Sequence, residues 1–285
     1  MTFINPFTDF GFKRIFGQED SKIILISFLN ALFEGEFVVT DLEYRDKEQL
    51  RERPDSRNAI FDIFCTLDTG ERIFLEMQNN YQKHFEDRAL YYASRGIARQ
   101  GVRGGTWNYD FNAVFGIYFM NFTHAALPQE FRNDYGVCRL NKGKDGENVV
   151  QHVLTRKLRM VFLQLPLFKK TANACKTDLD KWTYILMNMD TLDDIPWRKE
   201  KEAFEAIAEL GSYEALSEED RNRYDDAQRN YWDSIAVYEG AIEKGREEGK
   251  NGEKLSIAKA LKKNRIAPQV ICETTGLTLE EIDKL

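Results

Sequence analysis

The chain has 285 residues, is 42% hydrophobic and contains no apolar run of about 18 residues, so it can bury a full core but has no candidate membrane span. A formal net charge of −7 argues against a protein that coats nucleic acid over its whole surface. Cys65, Cys138, Cys175 and Cys272 form no Cys-x-x-Cys pair and His84, His124 and His152 are equally scattered, which excludes a zinc-ribbon pattern and fits free thiols in a reducing cytoplasm.

The opening Met-Thr-Phe-Ile-Asn-Pro lacks the basic and apolar regions of a secretory signal, so a cytoplasmic location is expected. Asn5 or Thr8 can cap a short helix that Phe10, Phe12 and Phe16 pack down. Asp9 and Lys13 stand at i,i+4 and suit an ordinary helix pair of about 0.2–0.5 kcal/mol. Residues 21–33 read as a helix with apolar positions at Ile24, Leu25, Phe28, Leu29 and Leu32, ended by Glu34-Gly35-Glu36. Residues 37–43 read as a first strand, and the densely charged 45–57 as a solvated loop or irregular edge strand. Arg51, Arg53 and Arg57 are there solvent-facing or in reach of a DNA backbone.

Residues 59–78 form two β-branched and aromatic runs around Asp68-Thr69-Gly70, the pattern of a β-hairpin. Alternation puts Ile60, Asp62, Phe64 and Thr66 on one face of the first strand, and Phe74, Glu76 and Gln78 on one face of the second. With a loop at 68–70, Leu67 pairs with Glu71 and Asp62 falls opposite Glu76. Two carboxylates ~4–5 Å apart repel by up to about 4 kcal/mol at an effective dielectric near ~20. Such a pair persists when a hard divalent cation, Mg²⁺ first, sits between its members, or when each carboxylate is met by an Arg in a polar patch at the sheet end.

A loop is expected at 79–83 and a helix at 85–99, where Arg88, Tyr92, Arg95 and Arg99 recur at three and four and share a stripe. That stripe is either solvated or faces phosphate. Gly101, Gly104 and Gly105 stop the helix, and because they come after it they do not form a phosphate-cradling loop. The continuous apolar run 113–122 reads as a central strand buried on both faces. Residues 135–140 and 151–165 are further strands or a long hairpin around a polar turn at 141–146.

Amphipathic helices are expected at 178–190 and 198–210, and another from Ser217 toward Glu243, with Glu218, Glu219 and Asp220 suiting the helix dipole. Gly240, Gly245, Gly249 and Gly252 interrupt the charged segment beyond it. At about 1 kcal/mol per mid-helix glycine, 241–253 is read as a linker. Residues 254–285 resemble a small helix-turn-helix unit. Its last helix carries Glu280, Glu281 and Asp283 against Lys284, the wrong sign for phosphate, so it is read as a protein-interaction or oligomerisation cap.

Asp62, the hairpin and Glu76-Met77-Gln78 resemble the PD-(D/E)XK nuclease motif in the variant with Gln in place of Lys. Together with Thr8-Asp9-Phe10-Gly11-Phe12-Lys13-Arg14-Ile15-Phe16-Gly17 and the helix holding Arg88, Ala89, Leu90, Tyr91 and Tyr92, they resemble the bacterial PD-(D/E)XK nuclease family transposases, or recombination-promoting nucleases. The similarity covers residues 1–240. Leu163-Gln164-Leu165-Pro166-Leu167-Phe168 stands where that family commonly has Glu-Leu-Pro-Lys-Phe, so no role of the Glu is carried over to Gln164.

The resemblance implies an α/β fold: a restriction-endonuclease-like core with a mixed central sheet flanked by helices, here with an α-helical C-terminal extension. Its domains are then a nuclease-like 1–240, the linker 241–253 and the helical unit 254–285. It further implies a metal-dependent DNA endonuclease linked to recombination or mobile elements. Asp62, Glu76 and the Met77 carbonyl would hold Mg²⁺ (or Mn²⁺) and Gln78 would orient a water. Lys13, beside Asp9, or Lys83 would replace the missing lysine. The alternative is a catalytically weak or inactive DNA-binding or interaction protein that keeps the fold, or an assembly protein acting through 217–285.

DNA contacts fall to the stripe of Arg88, Tyr92, Arg95 and Arg99, and to a basic band at 139–176. The band holds nine Lys+Arg, Arg156, Lys157 and Arg159 among them, against Asp145 and Glu147. Residues 111–200 carry 13 Lys+Arg and 10 Asp+Glu, the only net-positive third. The partners expected are DNA and a second copy through the C-terminal helices.

Overall fold

The computed structural model describes residues 2–45, 62–101, 107–142 and 148–285. Arg51, Arg53, Arg57, Ile60, Gly104 and Gly105, and most of the polar turn expected at 141–146, lie outside the described residues.

Six strands form one mixed sheet in the order β1-β2-β3-β4-β6-β5. They are β1 (Leu42–Tyr44), β2 (Ile63–Leu67), β3 (Arg72–Gln78), β4 (Val114–Met120), β5 (Arg132–Lys142) and β6 (Asn148–Gln164). The hairpin β2–β3 is antiparallel with Ile63 opposite Leu75 and Phe64 opposite Phe74. Gly70 closes its turn at φ +99°, a conformation that L side chains rarely adopt. β4 runs parallel to β3 and to β6, and β5 returns antiparallel to β6.

Alternation along β3 and β4 divides the core. Ile73 and Leu75 with Phe115, Ile117 and Phe119 join one large apolar cluster with α1 (Asp9–Phe16), α2 (Lys22–Leu32), α4 (Asp178–Asn188) and α5 (Glu202–Leu210). Phe12, Phe16 and Phe28 close on Phe119 with ring centroids 5.2–5.9 Å apart. The opposite face carries α3 (Phe85–Ala98). There Phe74 and Val114 pack with Tyr92 and Ala93, and Tyr118 and Met120 with Phe85 and Ala89. The fold is therefore an α/β sheet with helices on both faces.

The N-terminal motif is explained by packing. Thr8 Oγ1 accepts the Gly11 N–H at 2.9 Å as the α1 cap. A Cβ on Gly11 would lie 2.1 Å from the Asn5 carbonyl oxygen, so only glycine allows that approach. Asn79 Nδ2 donates to the Phe7 carbonyl at 2.8 Å and ties this segment to the end of β3.

Three elements differ from expectation. The strand read at 37–43 begins only at Leu42, because Asn30 on α2 accepts the Val39 N–H at 2.7 Å and donates to its carbonyl at 2.9 Å, taking both groups out of the ladder. The helix read from Arg198 starts at Glu202, after Trp197 adopts φ 60°. The linker read at 241–253 is helical. It lies inside α6 (Glu218–Lys263), where strong helix formers such as Glu243, Lys244, Arg246, Glu247 and Glu248 surround the glycines.

Two compact units result, residues 1–231 and 232–285. In the second, Ala258, Ile271 and Ile282 form a small core with the end of α6, α7 (Pro268–Thr275) and α8 (Leu279–Asp283). Lys262 Nζ donates to the carbonyls of Ile282 and Asp283 at 2.8 and 3.0 Å, a cation on the C-terminal end of α8.

Gly96 sets how closely α3 approaches the sheet, since a Cβ there would meet the Phe74 ring at 2.7 Å and Val114 at 3.1 Å. Gly96→Val is expected to cost about 1–3 kcal/mol by overpacking. A lowered urea midpoint at unchanged slope checks this.

Candidate active site

The site lies where β2 begins and β3 ends, beneath the first turns of α3. The register that pairs Ile63 with Leu75 brings Asp62, one residue before β2, to the level of Glu76. Asp62 Oδ2 accepts the Met77 N–H at 2.6 Å, so the side chain is held at the hairpin's end. It also lines a cleft of about 200 Å³ with Lys13, Gly17, Gln18, Tyr44 and Arg45.

Glu76 and Gln78 project to the α3 face and are both buried. Arg88 Nη2 donates to Glu76 Oε1 at 2.7 Å and to Gln78 Oε1 at 2.8 Å. Gln78 Nε2 donates to the Asn80 carbonyl at 2.8 Å, so both ends of its amide are engaged. Glu76 Oε2 is buried and has no hydrogen-bond partner among the described residues. Burial pushes the Glu76 carboxyl up to about 7; Arg88 opposes this and the Asp62 charge adds to it.

The sequence-expected residues divide into three groups. Asp62, Glu76, Met77 and Gln78 come together at the hairpin's end. Lys13 shares the cleft with Asp62, while its ammonium pairs with Asp9 at 2.5 Å on an exposed surface. The stripe on α3 turns to the sheet rather than to solvent: Tyr92 and Arg95 are buried, Arg88 holds Glu76 and Gln78, and Arg99 is exposed. The reason is that Arg88, Tyr92 and Arg95 lie on the side of α3 that also carries Phe85, Ala89 and Gly96.

Part of the basic band is paired with distant acids. Lys157 donates to Asp110 at 2.8 Å and lies over the Phe111 ring. Arg159 pairs with Asp134 at 2.6 Å and with Glu36. Arg156 is exposed. Gln164 is fully buried and donates from Nε2 to the Pro128 and Glu130 carbonyls at 2.8 and 3.1 Å, a bracing bond pair that a glutamate could not donate. Sequence reasoning puts Arg88 in the α3 stripe but misses its contacts with Glu76 and Gln78, whose signal is its position within the first turns of the helix after Glu-x-Gln.

Residues 6–241 match the family model described as PD-(D/E)XK nuclease family transposase. The chain belongs to this family. No match is found among the curated proteins or among the solved structures. Family membership makes it a nuclease/transposase-like protein, and the mixed sheet flanked by helices agrees with the family's fold. No helix among the described residues is long and apolar enough to cross a membrane.

The family's divalent metal can be tested against these donors. Hard cations take oxygen ligands, and Mg²⁺ uses one or two carboxylates while keeping positions for water and substrate phosphate. Asp62 and Glu76 are two carboxylates in Coulombic reach of each other, and Glu76 offers a buried oxygen with no partner among the described residues. Among those residues no group of three or more His, Cys, Asp or Glu side chains is placed to hold a metal. The donor set therefore fits an open, water-completed site rather than a closed cage.

The raised Glu76 pKa predicts a pH dependence without metal. Its folded value lies above the ordinary 4.5, so the stability it contributes is complete below about pH 4.5 and is lost as pH rises through about 7. Between those values wild type should lose up to about 3 kcal/mol relative to Glu76→Gln, at ~1.4 kcal/mol per pH unit. Urea unfolding of both proteins in chelator across pH 4–8 checks this; a constant difference would refute it.

Proposed function

We propose that this protein is a metal-dependent DNA endonuclease that hydrolyses phosphodiester bonds during recombination or mobile-element movement. The observation that carries the reading is the buried Glu76, one of whose oxygens has no partner among the described residues, beside Asp62 in a chain of the nuclease family. Asp62, Glu76 Oε2 and the Met77 carbonyl are the oxygens that would hold Mg²⁺ or Mn²⁺. When bound, the cation supplies a lowered pKa for its water and neutralises charge at the phosphate.

The chain's own residues do the rest. The Met77 N–H fixes the Asp62 carboxylate, and Arg88 fixes that of Glu76, so neither must be ordered when substrate arrives. Lys13 and Arg45 line the cleft beside Asp62, paired with Asp9 and Glu43, and would have to exchange those partners to meet a DNA backbone there. Arg156, exposed on β6, is a further candidate for backbone contact.

Nicking of supercoiled plasmid with Mg²⁺ or Mn²⁺ tests the reading. Asp62→Ala and Glu76→Ala are each expected to lower the rate by at least about 10²-fold, the equivalent of several kcal/mol of lost transition-state stabilisation, and chelator should abolish cleavage. Equal, metal-insensitive activity in all three proteins would leave the second possibility, a DNA-binding protein that keeps the fold without its chemistry.

A further inference from the structure

The motif's usual lysine is replaced by Gln78, which carries no charge, so the site lacks a cation that should balance its acids. We infer that Arg88, reaching in from α3, supplies the positive charge that this lysine otherwise provides at the scissile phosphate, with Gln78 as the positioning residue that presents it. The inference rests on the nuclease reading.

Geometry separates Arg88 from the other cations. Arg88 is in direct contact with both Glu76 and Gln78, at 2.7 and 2.8 Å. Lys13 is paired with Asp9, and Lys83 is exposed in the loop between β3 and α3.

The contacts also leave room for chemistry. A guanidinium carries five N–H donors. Nη2 gives its two to Glu76 and Gln78, and Nη1 gives one to Gln82. Among the described residues the second Nη1–H and the buried Nε–H are left over, and the Arg88 side chain is 27% exposed, enough for a phosphate oxygen to reach Nη1. Arg88 takes only Oε1 of Glu76, while Oε2 has no partner there. A cation on Oε2 and the guanidinium on Oε1 can therefore be present together, which is why Arg88 is read as a working charge and not as a plug.

Charge counting agrees. Asp62 and Glu76 bring two negative charges and Arg88 one positive, the same sum as a site of Asp, Glu and Lys. Gln78 holds the arrangement by accepting from Arg88 and anchoring its own Nε2–H on the Asn80 carbonyl. A lysine at 78 would present its own charge and repel Arg88.

The test uses plasmid nicking with Mn²⁺, together with Mn²⁺ binding followed by electron paramagnetic resonance in the absence of DNA. Arg88→Met should lower kcat by about 10²–10³-fold, as for removal of one transition-state charge donor, with KM changed far less and Mn²⁺ still bound. Arg88→Lys should keep activity within about tenfold of wild type, and adding Gln78→Lys to Arg88→Met should restore at least about tenfold. The inference is overturned if Arg88→Met cleaves as well as or faster than wild type, if it no longer binds Mn²⁺, or if neither lysine variant recovers activity. Failure of the nuclease reading looks different: wild type itself would then cleave no better than Asp62→Ala.

Discussion

A carboxylate buried against a sheet is expensive, by several kcal/mol even after relaxation, unless something cationic meets it. Glu76 is such a group, with its side chain 6% exposed, and the fold around it is arranged to bring that cation. β3 lies between β2 and β4, so Glu76 is flanked by Asp62 from one neighbour and by Tyr118 from the other. Among the described residues its cationic contact comes from the helix layer, where α3 delivers Arg88. The pair is asymmetric, satisfying one oxygen of Glu76 and leaving the other with no partner there. Removing a guanidinium from such a buried pair would leave an uncompensated charge, so helix and sheet are coupled through this contact.

That coupling demands a fixed height for α3 over the sheet. Gly96 lets the helix approach Phe74 and Val114. Tyr118 donates its hydroxyl to the Ala89 carbonyl at 3.2 Å, one residue from Arg88. Phe85 packs edge-on against Tyr118 with centroids 5.6 Å apart. Aromatic packing on one side of the helix thus places a charged group on the same side, which explains why Tyr92 and Arg95 are buried instead of facing solvent.

Local features are legible in the sequence. The hairpin register comes from turn chemistry and alternation, and these alone put Asp62 and Glu76 at one level. The cap at Thr8 and the buried faces of α2 and β4 come from spacing. The features that stay hidden depend on partners far along the chain. Arg159 pairs with Glu36 and Lys157 with Asp110, so part of a basic band in sequence is ion-paired in space. Val39 leaves the expected strand because Asn30 on a helix claims its backbone. Four glycines suggest a linker at 241–253, yet single glycines each surrounded by Glu, Lys and Arg lower a helix's stability without ending it.

Side-chain chemistry at the hairpin's end limits how the reaction can be divided. Gln78 cannot take a proton from an attacking water, and a guanidinium is effectively always protonated and cannot either. Neither member of the pair proposed to stand in for the usual lysine is a base. Under the proposed nuclease reading, proton acceptance would fall to the carboxylates or to the substrate phosphate, while Arg88 would contribute charge alone. In the Glu-x-Lys form one side chain can hold both roles; with Gln78 in that place, the proposed reading puts charge and proton transfer on different elements, the first on a helix and the second on the end of a hairpin. That separation would make the distance between α3 and β3 a property on which the proposed chemistry itself depends.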